Sequence, residues 1–173
     1  MKLRRIVTLA CTSVVIFGLC ATTSAKAATK IAYVNLEKIF DEYQKTKDFD
    51  SVLEKESKEK QAEREKMVEK IRKLKDELDL MNKDAKEKKQ GSLDQKIKEL
   101  QEFDREVNKE LKQKRDSMFI EIMKEIDVTI KEYGQKEKFN LIVDDRALLY
   151  RDDSLNITNQ ILKILDERYK RNR

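Results

Sequence analysis

The stretch that decides the fold is residues 67–111, MVEKIRKLKDELDLMNKDAKEKKQGSLDQKIKELQEFDREVNKEL. Before its glycine, apolar residues recur at alternating steps of four and three, at Met67, Ile71, Leu74, Leu78, Met81 and Ala85. After the glycine, a second apolar run contains Leu93, Ile97, Leu100, Phe103, Val107 and Leu111. Steps of four and three define the heptad seam of a coiled coil. The pattern therefore predicts two long helices that pack against each other.

Gly91 is the predicted turn between these helices, because glycine tolerates the left-handed conformation that is common just past a helix end. If the chain folds back there, facing residues have numbers that add up to 181 or 182. Five apolar pairs meet this condition: Ala85–Ile97, Met81–Leu100, Leu78–Phe103, Leu74–Val107 and Ile71–Leu111. We therefore predict an antiparallel helical hairpin over residues 44–133, roughly 70 Å long, with its tip near residue 91.

Short β-strand signals flank the hairpin on both sides. The segments 31–34, 139–143 and 147–150 are rich in β-branched, aromatic and other apolar residues, with a predicted turn at 144–146. Asn156 is a predicted N-cap for a final amphipathic helix. These signals predict an α+β fold, in which the hairpin projects from a small body formed by residues 28–43 and 134–173.

The predicted body is too small to be stable as a single copy. Three short strands bury little apolar surface, and an isolated small sheet is marginal in water. We therefore expect an oligomer whose subunits share a sheet. The residues predicted to matter for this assembly are Tyr33, Val34, Leu141 and Val143.

The first 27 residues have the pattern of a secretory signal peptide. Lys2, Arg4 and Arg5 precede an apolar run, and the small-x-small triplet at 25–27 is typical of a cleavage site. We expect export, with a mature chain that begins at Ala28. Cys20 raises the question of a lipoprotein, but the residue before a lipidated cysteine is normally small, and here it is leucine.

The composition excludes several classes of function. The sequence has no histidine, and its two cysteines, Cys11 and Cys20, belong to the leader. Residues 28–173 therefore offer no thiolate or imidazole for metal binding or nucleophilic catalysis, and they contain no glycine-rich phosphate loop. The acidic pairs at 144–145 and 152–153 are typical of turns and helix N-termini. We expect no catalytic residues, no cofactor and no bound metal.

An apolar stripe near the body lacks an obvious partner in the predicted hairpin. Residues 54–66 contain one apolar residue, Ala62, whereas the return helix carries an apolar set opposite them. That set includes Met118, Phe119, Ile122 and Met123. A stripe of this size is normally covered, and the candidates are the body, another copy of the chain, or a bound client.

Lysines are concentrated near the predicted tip. Four of them are candidates for attracting acidic clients, namely Lys83, Lys86, Lys88 and Lys89. The alternative is that they form an ordinary solvated helix surface. The leader contributes four of the 39 basic residues, so 35 remain against 34 acidic residues in the mature chain. This near-neutral charge argues against nucleic-acid binding.

The two ends of the mature chain resemble the OmpH-like (Skp) family of periplasmic chaperones. The resemblance rests on the segment KIAYVNLEKIF at 30–40 and on FNLIVD at 139–144. It extends to ALLY at 147–150, NIT at 156–158 and the pair Ile161-Leu162.

Two features of the sequence depart from the family pattern. Lys138 stands where a glycine usually precedes the aromatic residue, and the mature chain is nearly neutral rather than strongly basic. The helix before Lys138 is expected to continue past Gly134, which would then be a close-packing site.

This resemblance implies a homotrimer. Its body would be a small β-barrel built by three chains, and three hairpins would surround a cavity. The family holds unfolded outer-membrane proteins in the periplasm without ATP, so the same clients are implied here. Lipopolysaccharide or an anionic membrane surface is a further implied partner for the tip lysines.

The leading prediction from the sequence is an ATP-independent holdase that prevents aggregation of unfolded outer-membrane proteins. The first alternative is a structural coiled-coil spacer of the cell envelope, which would bind no unfolded chains and would have fully paired seams. The second is a nucleic-acid-binding protein, an interpretation that only the basic charge of the precursor favours.

Overall fold

The computed structural model describes residues 29–173, so the predicted leader lies outside the described residues. Within that range the elements are β1 (Ile31–Val34), α1 (Leu36–Glu42), α2 (Gln44–Asp79), α3 (Lys83–Glu137), β2 (Leu141–Asp144) and α4 (Thr158–Asn172). Two short 3₁₀ turns separate β2 from α4, at Asp145–Ala147 and Asp153–Leu155. The long helices and the small two-stranded sheet confirm the predicted combination of helical hairpin and α/β body.

Helices α2 and α3 form an antiparallel hairpin, and the chain turns between them near residue 81. Cross-helix ion pairs join Glu77 to Lys89 at 3.7 Å and Arg64 to Asp104 at 2.9 Å. The numbers of these partners add up to 166 and 168, not to 181 or 182. Helix α2 has 36 residues, which makes the hairpin roughly 54 Å long.

The predicted tip near Gly91 is therefore wrong, since the turn lies at 80–82 and Gly91 lies inside α3. Asn82 is the reason. Its side-chain oxygen accepts the backbone N–H of Ala85 at 3.1 Å, which caps the start of α3. The sums predicted for facing residues, 181 and 182, exceed the observed sums by about 14, which corresponds to a shift of one helix by two heptads. A heptad pattern repeats every seven residues, so it cannot distinguish registers that differ by whole heptads.

The body forms around the parallel pairing of β1 with β2. Tyr33 lies opposite Val143 in this pair. Parallel strands require a crossover connection, and here the crossover contains the whole hairpin. The core that covers β1 combines residues from α1, α3 and α4, whose fully buried members are Ile39, Ile122, Ile126, Ile161 and Leu165. Elements β1, α1, α3 and α4 therefore share a single hydrophobic core.

The C-terminal part of the body differs from the sequence prediction in one element. The segment 147–150, predicted as a strand, forms no strand in the structure, and β2 is shifted to Leu141–Asp144. Its first residue, Ala147, ends a 3₁₀ turn that begins directly after β2. Asn156 instead makes an isolated bridge with Tyr33. The side chain of Asn156 accepts the backbone N–H of Thr158 at 2.9 Å, but the N-cap of α4 is Ile157, one residue later than predicted, and it makes no side-chain capping bond.

Helix α3 ends where the sequence departs from the family pattern. Lys138 takes the left-handed conformation, with φ of 58°, in which glycine is the usual residue. The helix does continue past Gly134, as predicted. A Cβ at Gly134 would lie 3.1 Å from the Cδ1 atom of Ile142, so the absence of a side chain allows α3 to pack on β2.

The position of the turn can be tested at Gly91. We expect Gly91→Ala to stabilise the hairpin by about 0.5–1 kcal/mol, because Gly91 lies inside a helix and nothing lies within 4 Å of an added Cβ. Urea unfolding followed by circular dichroism measures the change. A loss of stability would instead support a turn at residue 91.

Candidate binding surface at the root of the hairpin

The predicted apolar stripe on α3 is mostly covered by its own chain. Ile122 is fully buried in the core, and Met118 and Met123 pack against that core as partly buried residues. Phe119 alone among the four remains widely accessible, with 52% of its surface exposed. Ile122 has no exposed surface in the single chain, so its contact with a client stays a prediction. The shifted register explains this burial, because the start of α2 and helix α1 cover this part of α3.

An aromatic cleft lies where the hairpin meets the body. Its volume is about 350 Å³, and the apolar side chains that line it are Phe40, Phe49, Met118, Phe119 and, at its base, the buried Ile122. The rings of Phe40 and Phe119 are tilted against each other, with their centroids 5.3 Å apart. This cleft joins residues of α1, α2 and α3. The sequence carries no signal for the role of Phe40 and Phe49 in this cleft, because neither residue follows a heptad seam.

Charged side chains fix the direction in which α2 leaves the body. Helices α1 and α2 are separated only by Tyr43, whose backbone is extended. The Lys45 ammonium group lies 2.6 Å from a carboxylate oxygen of both Glu121 and Glu125. The Tyr43 hydroxyl donates to Glu125 at 3.0 Å. These bonds tie the first turn of α2 to α3.

The same contacts alter the proton affinities of the groups involved. Burial raises the pKa of Tyr43 above its usual value, and the hydrogen bond to Glu125 adds to the effect. Burial by itself would lower the pKa of Lys45, but the hydrogen bonds to Glu121 and Glu125 outweigh it and raise the pKa. Both groups therefore keep their protons at neutral pH, so the root keeps its hydrogen bonds.

The lysines predicted at the tip lie in the first turns of α3 and are exposed to solvent. Lys86 pairs with Asp79 at 3.1 Å and Lys89 with Glu77 at 3.7 Å, both across the turn. Among residues 29–173, Lys83 and Lys88 have no ion-pair partner within 4 Å. Residues 70–98 carry ten basic and six acidic side chains, while residues 28–69 and 99–173 together carry 25 and 28. The distal end of the hairpin is therefore its positive end.

The residues predicted for assembly fall into two groups. Tyr33 and Val34 are buried within a single chain, at 1% and 2% exposure, so they support the sheet rather than offer surface. Leu141, in contrast, is half exposed on β2, and Val143 is partly buried. In the described part of the chain, β2 pairs with β1 and with no other strand. One edge of the sheet is therefore open.

A second apolar surface, which the sequence did not single out as exposed, follows β2. Leu149 is fully exposed and Tyr150 is 85% exposed. The ends of this segment are anchored through buried Asp145, which accepts the side-chain amide of Asn35 at 2.7 Å and a hydrogen bond from Arg151. The apolar residues are thus presented on a fixed loop.

The acidic pairs of the body have structural partners. Asp152 accepts the backbone N–H of Ser154 at 2.9 Å, and hydrogen bonding from the Ser154 side chain, with a smaller effect from this backbone bond, lowers the pKa of its carboxyl group. Asp153 accepts the Tyr33 hydroxyl at 3.2 Å. Across residues 29–173, no group of three or more potential metal ligands occurs. In the same range, no helix has both the length and the apolar character needed to cross a membrane.

These features define an α+β protein whose charged, antiparallel hairpin projects from a small body with an open sheet edge. The family model of the outer membrane protein (OmpH-like) family matches residues 30–165. The chain belongs to this OmpH-like family, as the resemblance of its two ends predicted.

A solved structure supports the fold. The chain is similar to the crystal structure of a candidate OmpH-like outer membrane chaperone from Caulobacter crescentus CB15, with a TM-score of 0.75. The two share 18% sequence identity, and the alignment covers 82% of this chain and 86% of that one. At this identity the likeness concerns the fold alone. No curated protein matches this chain significantly by sequence.

The different burial of Ile122 and Phe119 can be tested by the effect of each residue on the free energy of unfolding. We expect Ile122→Ser to cost roughly 3–5 kcal/mol, because it leaves a cavity and an unpaired hydroxyl in the core. The matched change Phe119→Ser should cost about 1 kcal/mol, because half of that ring already faces water. Urea denaturation of both variants measures the difference. Equal losses would contradict the described packing.

Proposed function

We propose that this protein is an ATP-independent holdase that binds unfolded outer-membrane proteins and prevents their aggregation. Membership of the OmpH-like family, whose solved relative is a candidate outer membrane chaperone, supports a chaperone function. The single observation that carries the proposal is the accessible Phe119 ring in the aromatic cleft, because a hairpin serving only as a spacer has no need of it. Holding requires no nucleotide, which suits a chain without a phosphate loop.

The proposal places this activity in the periplasm. OmpH-like outer membrane chaperones are periplasmic proteins. The signal-peptide pattern of residues 1–27 supports export of this chain and cleavage before Ala28. That segment lies outside the described residues, so it remains a prediction from the sequence. The compartment has no ATP supply, and a holdase that works by binding alone fits it.

The proposal also includes assembly of three copies through the body. The open edge of β2 and the exposed Leu149 and Tyr150 support it, because unpaired strand edges and contiguous apolar residues are normally covered. Three bodies joined in this way would place three hairpins around a shared space. Leu141 would then lie at the contact.

Assembly can be tested at that residue. We expect Leu141→Asp to reduce the oligomer to single chains, because it places a charge in an apolar contact, while the half-exposed position leaves each chain folded. Analytical ultracentrifugation measures the size, and circular dichroism checks the fold. Val52→Asp is the matched control, since Val52 is 60% exposed on the hairpin. An unchanged size for the Leu141 variant would refute this interface.

The holding activity can be tested with residues 28–173 and a urea-unfolded β-barrel membrane protein. We expect a stoichiometric excess of the chain to delay aggregation, measured by light scattering without ATP. Changing Lys83, Lys86, Lys88 and Lys89 to Gln should weaken holding mainly at low salt, because salt screens exposed charges within about 8–10 Å. Lipopolysaccharide should bind with the same dependence if the tip attracts it.

The control for this experiment removes the same number of exposed lysines elsewhere, namely Lys47, Lys109, Lys136 and Lys163. If the control variant loses as much holding activity as the tip variant, the effect comes from net charge and not from the position of the tip lysines. If the unmodified chain delays no aggregation, the protein is better described as a structural coiled-coil spacer of the envelope.

A further inference from the structure

A neighbouring cleft lies next to the aromatic cleft along the hairpin. This second cleft of about 430 Å³ shares Arg115 with the aromatic cleft and has Leu53 and Leu111 as its apolar lining. Together the two clefts, which we call the root groove, run between α2 and α3. Along α2 the lining residues extend from Thr46 to Ser57. Eleven helical steps correspond to roughly 16 Å.

We propose that the root groove binds an extended segment of about five residues through its aromatic side chains. This inference rests on the proposed holdase function and names the part of the client that is recognised. An extended chain advances about 3.3 Å per residue, so five residues match the groove length. Alternate side chains of such a segment point to the same side, which would place two or three of them in the groove.

The chemistry of the lining favours aromatic rings over aliphatic side chains. Phe40, Phe49 and Phe119 offer ring edges and faces, and aromatic pairs gain about 0.5–1.5 kcal/mol beyond burial of their area. Met118 adds a thioether, which makes favourable contacts with ring edges. Arg115 lines both clefts and can stack its guanidinium group on a bound ring.

Arg115 is available for such a contact. Its side chain is 68% exposed, and its ion pair within the described residues is a loose one, 3.7 Å from its neighbour Asp116. Its charge therefore remains free to meet a ring at the junction of the two clefts. Strands of membrane β-barrels alternate apolar and polar residues and carry aromatic girdles. Extended segments of an unfolded β-barrel thus present apolar and aromatic side chains on one side, and this side would face the groove.

The other exposed apolar residues of the hairpin do not form a comparable site. Val52 and Ile120 are 60% and 67% exposed, but neither lines the root groove. Single exposed apolar residues are normal on protein surfaces. These two residues therefore serve as matched controls, because they lie on the same helices and at similar depth along the hairpin.

The test compares two fluorescent pentapeptides, one alternating tyrosine with threonine and one alternating leucine with threonine. Fluorescence anisotropy with the full mature chain measures both affinities. We expect tighter binding of the tyrosine peptide by about tenfold. Phe49→Leu and Phe119→Leu together should abolish this preference, because they keep an apolar lining but remove the rings. The preference should survive Val52→Leu with Ile120→Leu. Equal affinity of the unmodified chain for both peptides would overturn the proposal.

Arg115→Gln should reduce binding of the tyrosine peptide more than binding of the leucine peptide. Its control is Arg105→Gln, which changes an exposed arginine outside the groove.

A cysteine introduced into the groove can show whether a client occupies it, since residues 28–173 contain no other cysteine. With a photoactivatable cross-linker on the thiol, Ser57→Cys should capture an unfolded β-barrel protein, whereas Ser117→Cys, exposed outside the groove, should not.

The outcomes separate this inference from the proposed function. If the Phe49 and Phe119 double variant still delays aggregation as well as the unmodified chain, the groove assignment is wrong although the holdase function stands. If the unmodified chain binds the tyrosine peptide with the expected preference but delays no aggregation, the groove stands and the holdase function falls. A change in oligomer size in the double variant would identify the groove as a contact between copies and overturn the proposal.

Discussion

Parallel pairing of β1 with β2 joins two strands that the whole hairpin separates in the sequence. Val34 ends the first strand and Leu141 begins the second, and α1, α2 and α3 lie between them. Because the strands are parallel, the chain must cross over from the end of one to the start of the other. The pairing therefore fixes both ends of the hairpin on one body. The contact of Gly134 with Ile142 then sets how closely α3 approaches the sheet.

The hairpin itself is held by a thin apolar seam and many surface charges. Near the tip, Leu78 and Leu93 are the buried residues. Ion pairs such as Arg64–Asp104 cross the seam, but exposed pairs of this kind contribute only about 0–1 kcal/mol each. Most of the buried apolar residues lie instead in the cluster around the sheet. Where the two meet, Lys45 binds Glu121 and Glu125, and the aromatic cleft lies beside this junction.

Several parts of this structure followed from residue patterns alone. The heptads predicted two packed helices, and motifs at the two ends of residues 30–165 predicted the OmpH-like family. These predictions succeeded because each depends on short-range chemistry, either side-chain periodicity or a contiguous motif. The location of Phe119 on an apolar stripe could be predicted for the same reason.

The sequence by itself determined that a charged, antiparallel coiled coil separates the strands of a small body. Only the tertiary structure decided its register, because displacements by whole heptads leave the apolar pattern unchanged and the cap at Asn82 outweighed Gly91. The register in turn decided that Ile122 is buried and that Phe49 reaches the aromatic cleft. The segment 147–150 stayed without a strand partner for a similar reason, since a strand needs a neighbour that local sequence cannot supply.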